Sequence, residues 1–382
     1  MAVSAELRAA ITRAQNADQH SEPVFSPLRG LGRGRLTPID LLGQSLSTIA
    51  PATGMVFIAL WMITYSPGYV GLAAIAATTS AVFLVAFCIT QFTRRLAAAG
   101  SLYSFVFQGS GIRATLTAGA ALVLGYLGIS VSVFSQAVPS LLDTIAIVGP
   151  DVRGTAATVI TTVAIALAVA WIAVRGVRFA TRAILVVEAC SLILIVVVML
   201  ATHSDTTTAV ALPNPSLSAV PFLAMLTVLS MAGFESSAFF GPEAKRPLIS
   251  VTRTVLISPI ICGVLFVFAA WAAMTGHGAT IVGAYFEGTA SGASAEVVLA
   301  VKIGMTCSWF ASTLGCAQAG SRLLYSMGIE RVLPLLMLGA FDSVETADLL
   351  PGAGTLLIDG DGRRRLVPDR GTAEGNSPEH GR

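Results

Sequence analysis

Long apolar runs separated by short polar segments dominate the chain from residue 37 to about residue 322. A membrane-spanning helix needs about 20 mostly apolar residues, and eight runs reach that length. The predicted spans are 39–65, 69–93, 114–140, 154–174, 182–202, 217–240, 254–275 and 296–322. No strand alternation or coiled-coil heptad is sustained in them. The pattern therefore predicts an all-α polytopic membrane protein.

The two ends of the chain differ from this apolar region. Residues 1–36 are polar and basic, which is typical of a cytoplasmic tail rather than a cleaved secretory signal. From about Phe341 the chain becomes acidic and rich in Gly and Pro, and we expect a disordered segment there. The predicted organisation is an N-terminal tail over 1–36, a transmembrane domain over 37–334, and a cytoplasmic tail over 335–382.

Composition agrees with the membrane assignment, because 54% of the 382 residues are hydrophobic and only 12% are charged. Soluble domains carry about 25% charged residues. The sequence has no P-loop, no HExxH and no nucleophile elbow, so we expect neither an enzyme nor a cofactor. No basic, aromatic-interleaved patch indicates nucleic acid. The cysteines lie in apolar runs without a CxxC pair and are predicted to be small buried hydrophobes rather than metal ligands: Cys88, Cys190, Cys262, Cys307 and Cys316.

Basic residues mark one side of the predicted membrane. The loops expected on the N-terminal side carry Arg29, Arg33, Arg35, Arg94, Arg95, Arg113, Arg175, Arg178, Arg182, Lys245, Arg246, Arg253, Arg322 and Arg331, whereas the opposite loops carry only Arg153. Cytoplasmic loops of membrane proteins are enriched in Lys and Arg. We therefore predict a cell-membrane protein with both termini in the cytoplasm.

Two of the apolar runs are interrupted, and this is the pattern that best indicates a transporter's binding site. The first interruption spans Ala50 to Gly54 and contains Pro51, which removes a backbone donor. A half-helix that starts near Met55 would direct its amides at the centre of the membrane, where an anion such as a carboxylate could bind. The alternative is a proline-kinked helix without a ligand.

The second interruption is Gly233-Phe234-Glu235. A carboxylate inside a span is costly and is usually functional, so Glu235 is predicted to accept a proton or to orient unwound backbone. Phe234 could close over a bound solute. In the alternative interpretation Glu235 lies nearer the cytoplasmic interface and pairs with Lys245 or Arg246.

Glu188 and Lys302 are two further charged residues within predicted spans. Glu188 must face the bundle interior or be protonated, and both proton coupling and a structural hydrogen bond to a neighbouring helix remain open. Lys302 lies about two turns inside the last span. Its long side chain is expected to reach the outer interface.

Three segments resemble the amino acid–polyamine–organocation permeases. They are Gly233-Phe234-Glu235 followed by Gly241-Pro242-Glu243-Ala244-Lys245-Arg246-Pro247, then Ser321-Arg322-Leu323-Leu324-Tyr325-Ser326-Met327-Gly328 with Arg331 and Pro334, and Ala99-Gly100-Ser101-Leu102-Tyr103. They occur in the order, and near the helices, in which that family carries similar segments. The resemblance covers residues from about 37 to 334.

This resemblance implies a LeuT-like fold of two inverted repeats with discontinuous first and sixth helices. It implies that a substrate carboxylate meets backbone amides at Ala52, Thr53 and Gly54. It also implies that the amino group meets carbonyls around Thr48, Ile49, Ala232 and Gly233, and that Phe234 gates the site. Glu235 and Glu188 are the candidate coupling residues. No metal is expected.

The chain departs from the family in helix number, because the two repeats need ten helices and only eight are predicted. We expect one lateral face of the bundle to be open to lipid as a result. The leading prediction is secondary active transport of an amino acid or related amine by alternating access, with proton coupling or exchange. The alternative is a truncated, non-transporting membrane protein or a partner-binding scaffold. The sequence does not predict an oligomeric state.

Overall fold

A computed structural model describes residues 34–65, 68–96, 101–149, 154–202, 219–329, Val332, 356–358 and 364–366. Several residues used in the sequence predictions lie outside these ranges, namely Arg29, Arg33, Ala99, Gly100, Arg153, Arg331 and Pro334. Nearly all of the predicted tails, 1–36 and 335–382, also lie outside them.

The described chain is built from ten α-helices, two 3-10 helices and one pair of short strands. The α-helices are α1 Pro38–Ile49, α2 Pro51–Tyr65, α3 Gly68–Thr93, α4 Leu102–Val148, α5 Thr155–Val174, α6 Val177–Ala201, α7 Ala219–Ser230, α8 Pro247–Met274, α9 His277–Phe286 and α10 Ala295–Ile329. The 3-10 helices are Ser236–Glu243 and Gly288–Ser291. Strands β1 Leu356–Ile358 and β2 Arg364–Leu366 pair antiparallel, with Leu356 opposite Leu366.

Seven helical segments among the described residues are long and apolar enough to cross a membrane. They are Pro38–Tyr65, Gly68–Thr93, Leu102–Val148, Thr155–Val174, Val177–Ala201, Pro247–Met274 and Ala295–Gly328. The bundle is thus helical with multiple apolar helices, as predicted for a polytopic membrane protein. The predicted span 217–240 is different, because α7 has only 12 residues and a turn separates it from the first 3-10 helix.

Helix α4 is much longer than the predicted span 114–140. It contains 47 residues and one non-helical position, Gly111, whose φ is 73°. A residue with positive φ interrupts a right-handed helix, and glycine adopts this conformation without a Cβ clash. The chain therefore forms one helical segment before Gly111 and the membrane-length segment after it.

Helices α1 and α2 lie at the centre of the bundle. In the most apolar stretch of Pro38–Tyr65, 72% of the residues are buried, against 17% in Leu102–Val148 and 17% in Thr155–Val174. Helix α1 packs against α6 and α8, while α10 packs against α4 and α6. The outward faces of α4 and α5 expose Leu124, Val131, Ile160 and Leu167, which is an apolar surface suited to lipid.

Two ion pairs lie at opposite ends of α10. Lys302 Nζ is 2.8 Å from Asp143 Oδ2, and Arg322 Nε is 2.7 Å from Glu243 Oε1. Lys302 and Arg322 are 20 positions apart, about 30 Å along a helix, which is also the approximate thickness of the hydrocarbon core. We call these ends of the bundle the Lys302 end and the Arg322 end. Lys302 is itself buried, and its partner Asp143 has a side chain that is 39% exposed.

Candidate functional site

The first interruption is a change of backbone handedness at one residue. Helix α1 ends at Ile49, and Ala50 adopts the left-handed conformation with φ 55° and ψ 62°. The amide of Ala50 donates to the carbonyls of Leu46 and Ser47, so the end of α1 is capped before Pro51 starts α2. Left-handed backbone costs a non-glycine residue roughly 1–2 kcal/mol. The surrounding structure holds Ala50 in this conformation.

The second interruption lies directly against the first. Helix α7 ends at Ser230, and Gly233 has a φ of 96°. A Cβ atom at Gly233 would lie 2.5 Å from Cγ2 of Thr48, and one at Gly315 would lie 2.9 Å from Oγ1 of Thr48. Thr48 is therefore enclosed by two glycines, one from each neighbouring segment. The two interruptions, far apart in sequence, form one place in the fold.

Hydrogen bonds join Thr48 to three elements. Its Oγ1 donates to the Gln44 carbonyl at 2.8 Å and accepts from Ser236 Oγ at 3.1 Å in the 3-10 helix. Its carbonyl accepts from Ser312 Oγ of α10 at 3.1 Å. Gln44 Nε2 also donates to the Gly315 carbonyl at 2.8 Å. The bond from Ser312 thus satisfies the Thr48 carbonyl, whose usual helical partner is lost where α1 ends.

A cavity of about 460 Å³ borders the two interruptions. Its lining comprises Thr48, Ile49, Ala50, Thr53, Gly54, Phe57, Trp61, Gly128, Ile129, Ser132, Val133, Gln136, Leu229, Ser230, Ala232, Trp309 and Ser312. Five of the predicted binding residues are among them, namely Thr48, Ile49, Thr53, Gly54 and Ala232. Small-molecule sites commonly enclose about 300–1,000 Å³. The cavity is therefore large enough for a small organic solute.

Three predicted binding residues lie outside this lining: Ala52, Gly233 and Phe234. The side chain of Phe234 is buried in the hydrophobic core, and its carbonyl accepts a hydrogen bond from Ser258 Oγ at 3.2 Å. The cavity's aromatic side chains are instead Phe57, Trp61 and Trp309. Sequence reasoning missed them, although the spacing of Phe57 and Trp61 after Gly54 places these residues on one face of a helix.

Glu188 reaches from α6 to the start of α2. Its Oε1 accepts from the Ala52 amide at 3.3 Å and from Ser308 Oγ of α10 at 3.1 Å. The residue is 3% exposed, and Oε2 has no hydrogen-bond partner among the described residues. One of the two alternatives from sequence, a hydrogen bond to neighbouring helices, is thus present. The contacts leave Oε2 available for a proton.

These contacts change the expected picture of the α2 N-terminus. The amides of Ala52 and Gly54 were predicted to hold a solute carboxylate. The first donates to Glu188, and the second donates to the Ala50 carbonyl at 2.9 Å. A helix N-terminus favours a negative charge, and here a carboxylate of the protein itself occupies part of that position.

Glu235 contacts α4 rather than the loop that follows it. Its Oε1 accepts a hydrogen bond from Tyr126 Oη at 3.0 Å. The Tyr126 ring packs edge-on against Phe239 with ring centroids 5.4 Å apart. Lys245 and Arg246, the partners considered from sequence, are exposed at the Arg322 end. The carboxyl group of Glu235 is thus held by the aromatic hydroxyl of a neighbouring helix.

Parts of the three family-like segments meet at the Arg322 end. Arg322 binds Glu243 through Nε at 2.7 Å and through Nη2 at 3.3 Å, and its guanidinium lies 4.0 Å from the ring centre of Phe240. A Cβ at Gly119 would lie 2.8 Å from the Tyr103 ring and 3.3 Å from the Met327 methyl. The segments that carry the resemblance therefore contribute to one end of the bundle.

The N-terminal entry into α1 is attached to the same end. The amides of Arg35 and Leu36 donate to the Glu243 carbonyl at 2.9 and 3.0 Å, and the Lys245 amide donates to the Leu36 carbonyl at 3.0 Å. Thr37 and Asp40 then form a capping box at the start of α1. The segment that precedes α1 is therefore hydrogen-bonded to the chain at the end of the 3-10 helix Ser236–Glu243.

No cluster of three or more metal-ligating side chains occurs in the part of the chain that the structure describes. All five cysteines are free thiols. Cys262 and Cys316 are buried as predicted, but Cys88 and Cys190 are exposed on the outward faces of α3 and α6. The expectation of burial is wrong for these two because apolar runs also face lipid.

A comparison with protein-family models finds no match for this chain, and a comparison with curated protein sequences also finds none.

Proposed function

We propose that this protein moves an amino acid or a related amine across the cell membrane by alternating access. The observation that carries the proposal is the cavity where the two interruptions meet. It lies between the ion-paired ends of the bundle, close to the middle of a membrane-thick structure. Interrupted helices that supply free backbone groups at this depth are the usual binding element of secondary transporters.

The proposed fold is LeuT-like, and the proposed family is that of the amino acid–polyamine–organocation permeases. The supporting features are the left-handed residue between α1 and α2, the positive φ of Gly233 after α7, and the contacts among the family-like segments at the Arg322 end. In this proposal α1 and α2 form a discontinuous first helix. Helix α7 and the 3-10 helix form a discontinuous sixth helix.

The proposed substrate lies with its carboxylate at the first turn of α2, near Thr53, and with its amino group near the carbonyls of Thr48, Ile49 and Ala232. The first turn of α2 favours an anion through the positive end of its helix dipole. The hydroxyl of Thr53 donates to the Ala50 carbonyl at 2.8 Å, so its oxygen can accept from the substrate's ammonium group but has no proton for the carboxylate. No charged protein side chain is needed for this arrangement.

Proton coupling is proposed to act through Glu188, with Glu235 as a second candidate. A substrate carboxylate at the α2 amides would lie close to Glu188 Oε1, and two carboxylates at such short range do not both remain ionised. Entry of the substrate would therefore be linked to a proton on Glu188, whose Oε2 has no partner in the described structure. Release of the substrate would release the proton on the other side.

Alternating access would open one end of the bundle at a time. At the Arg322 end, the Arg322–Glu243 pair and the strand-like contact of Leu36 with Ala244 would separate. At the Lys302 end, the Lys302–Asp143 pair would separate. We propose the Arg322 end as the cytoplasmic end, because the described basic residues Arg35, Arg94, Arg175 and Lys245 lie toward it in the loop assignment made from sequence.

Uptake into proteoliposomes tests this proposal. The full-length chain, purified and reconstituted, is loaded with a mixture of unlabelled amino acids and exposed to labelled ones, with and without an inward proton gradient. We expect labelled substrate to accumulate above the level in protein-free vesicles. Absence of uptake and exchange for all amino acids and amines, by protein that elutes as a single folded species, would reject the transport function.

A second candidate function is that of a membrane scaffold that binds a partner without transport. The observation that favours it is an exposed polar strip on α4, formed by Gly128, Ser132 and Gln136, where the cavity opens sideways. An amide side chain facing lipid lacks hydrogen-bond partners, which favours protein contact there. Uptake by the unaltered chain discriminates the two functions, since a scaffold shows none. A partner that co-purifies with the unaltered chain and is lost from Gln136→Leu would support the scaffold.

A further inference from the structure

If the proposed transport function holds, the chemistry of the cavity walls limits the range of solutes that can bind. The lining has a polar floor at the interruptions and an upper part toward the Lys302 end that is mostly apolar, apart from Ser132 and Gln136 of α4. Amino acids share one head group and differ only in the side chain. The upper part is therefore the place where side-chain selectivity arises.

An aromatic wall forms the first side of this upper part. The ring of Phe57 lies 5.9 Å from the ring of Trp61 and 5.9 Å from the ring of Trp309, measured between centroids. Trp309 Nε1 donates to Tyr285 Oη at 3.3 Å, so the polar atom of this indole is already paired. What the three rings offer to the cavity is apolar surface.

The distance from the first turn of α2 to the aromatic wall is about the length of a large amino acid side chain. Phe57 and Trp61 follow Gly54 by three and seven residues, which corresponds to about 5 and 10 Å along α2. Ile129, Val133 and Leu229 supply an apolar surface on the side of α4 and α7. A solute whose head group sits at Thr53 would thus extend a side chain between aromatic and aliphatic walls.

The floor suits an ammonium group rather than a further anion. The hydroxyls of Thr48, Thr53, Ser230 and Ser312 each donate to a backbone carbonyl, namely those of Gln44, Ala50, Leu226 and Thr48. Their protons are therefore engaged. The Thr48 oxygen already accepts from Ser236 and Gln44, so the acceptors that remain are the lone pairs of the other three hydroxyls. An ammonium group carries donors only, which complements this floor.

Charge is missing from the lining. Among the described residues around the cavity there is no Asp, Glu, Lys, Arg or His. A charged side chain would lose its hydration here without gaining an ionic partner, which is strongly unfavourable. The rings could attract a cation through their faces. In the upper part of the cavity a second positive charge would have no carboxylate beside it, because Glu188 lies at the start of α2.

We infer that the site selects zwitterions with a bulky, uncharged, apolar side chain and rejects amino acids with cationic or anionic side chains as well as polyamines. Each buried methylene strengthens binding about fourfold. Leucine and phenylalanine therefore bind at least tenfold more tightly than alanine. Arginine, glutamate and putrescine bind more weakly than alanine.

Intrinsic fluorescence of the full chain in lipid nanodiscs gives a direct binding measurement. Two of the four tryptophans, Trp61 and Trp309, line the cavity, while Trp171 and Trp271 lie on exposed surface. In a Trp171→Phe, Trp271→Phe background the signal comes from the cavity alone. Titrations with leucine, phenylalanine, alanine, arginine, glutamate and putrescine then give the order of affinities without requiring transport.

A variant tests whether the aromatic wall sets the preference. Phe57→Ala should raise the Kd for phenylalanine at least tenfold and leave that for alanine within about threefold, whereas Phe107→Ala, on an exposed part of α4, should change neither. Phe57→Leu, with an intermediate effect, serves if the alanine variant does not fold. Tighter binding of arginine or putrescine than of leucine would overturn this inference while leaving amino acid or amine transport intact. A failure of every ligand to bind would reject the transport function together with it.

Discussion

Thr48 and Gly233 touch so closely that a single carbon atom added to the glycine would lie 2.5 Å from Cγ2 of the threonine. The contact joins the end of α1 to the turn after α7. It holds the two interruptions of the helical structure together and positions both beside the cavity.

Gly233→Ala is expected to destabilise the fold. Its φ of 96° is unfavourable for a residue with a Cβ, and the new methyl group would overlap Thr48. These effects together should cost about 2–4 kcal/mol, which thermal unfolding in detergent can measure as a lowered midpoint. Thr48→Ser removes Cγ2 but keeps the hydroxyl, so the double variant should recover part of the loss. Equal destabilisation with and without Thr48→Ser would show that the contact is not the cause.

Gly54→Ala tests whether this glycine is needed for the solute or for packing. The family resemblance implies that a substrate carboxylate meets the backbone amide of Gly54. In the structure an added Cβ would point at the Phe266 ring of α8, 2.6 Å away. We therefore expect a stability loss of about 1–3 kcal/mol that Phe266→Leu partly reverses. Normal stability of Gly54→Ala with loss of binding would instead favour direct approach of the solute.

Glu188→Gln is expected to separate substrate exchange from proton-driven accumulation. The amide keeps an acceptor for Ala52 and Ser308 but cannot carry the proton to and fro. Exchange between preloaded vesicles and medium should persist, while accumulation driven by an imposed proton gradient should fall to the level without a gradient. Glu296→Gln, at an exposed position in α10, is the matched control. Undiminished gradient-driven accumulation in Glu188→Gln would assign coupling elsewhere, with Glu235→Gln as the next variant.

Arg322→Met should destabilise the Arg322 end far more than a comparable change at the surface. The Glu243 side chain is only 1% exposed, so loss of its partner leaves a buried unpaired charge and costs about 3–5 kcal/mol. Arg322→Met with Glu243→Met should restore most of that stability. Arg182→Met is the control, because Arg182 is 54% exposed, and its partner Asp40 also accepts from Thr37. We expect at most about 1 kcal/mol there.

Much of the bundle could be predicted from the apolar runs, because length and hydropathy suffice to recognise helices that cross a membrane. The structure of the span 217–240 was harder to predict, since its hydropathy does not show that α7 ends before a turn at Gly233. The left-handed conformation of Ala50 was also beyond prediction. Alanine normally avoids this conformation, and here its amide caps α1 by donating to the carbonyls of Leu46 and Ser47.

The candidate site could be predicted only where local sequence signals mark it. Pro51, Gly54 and Gly233 are local signals, and they indicated the two interruptions that border the cavity. The contact of Glu188 with Ala52 joins residues 136 positions apart, and no local pattern encodes it. The pairing of Glu235 with Tyr126, 109 positions away, is of the same kind. The apolar runs predict that Glu188 and Glu235 are buried. Their hydrogen-bond partners depend on how the helices pack and could not be predicted from the runs.

The Glu188 carboxyl group lies at the start of α2, where the carboxylate of the solute is proposed to bind. Any anion that approaches the start of α2 competes with a carboxylate that is tethered to the same molecule and never diffuses away. The free energy of binding measured for an anionic solute would therefore be its own binding free energy less the free energy of the Glu188 contact that it displaces. Under the proposed transport function, a change at position 188 would therefore alter the affinity for an anionic solute, although Glu188 is not part of the cavity lining.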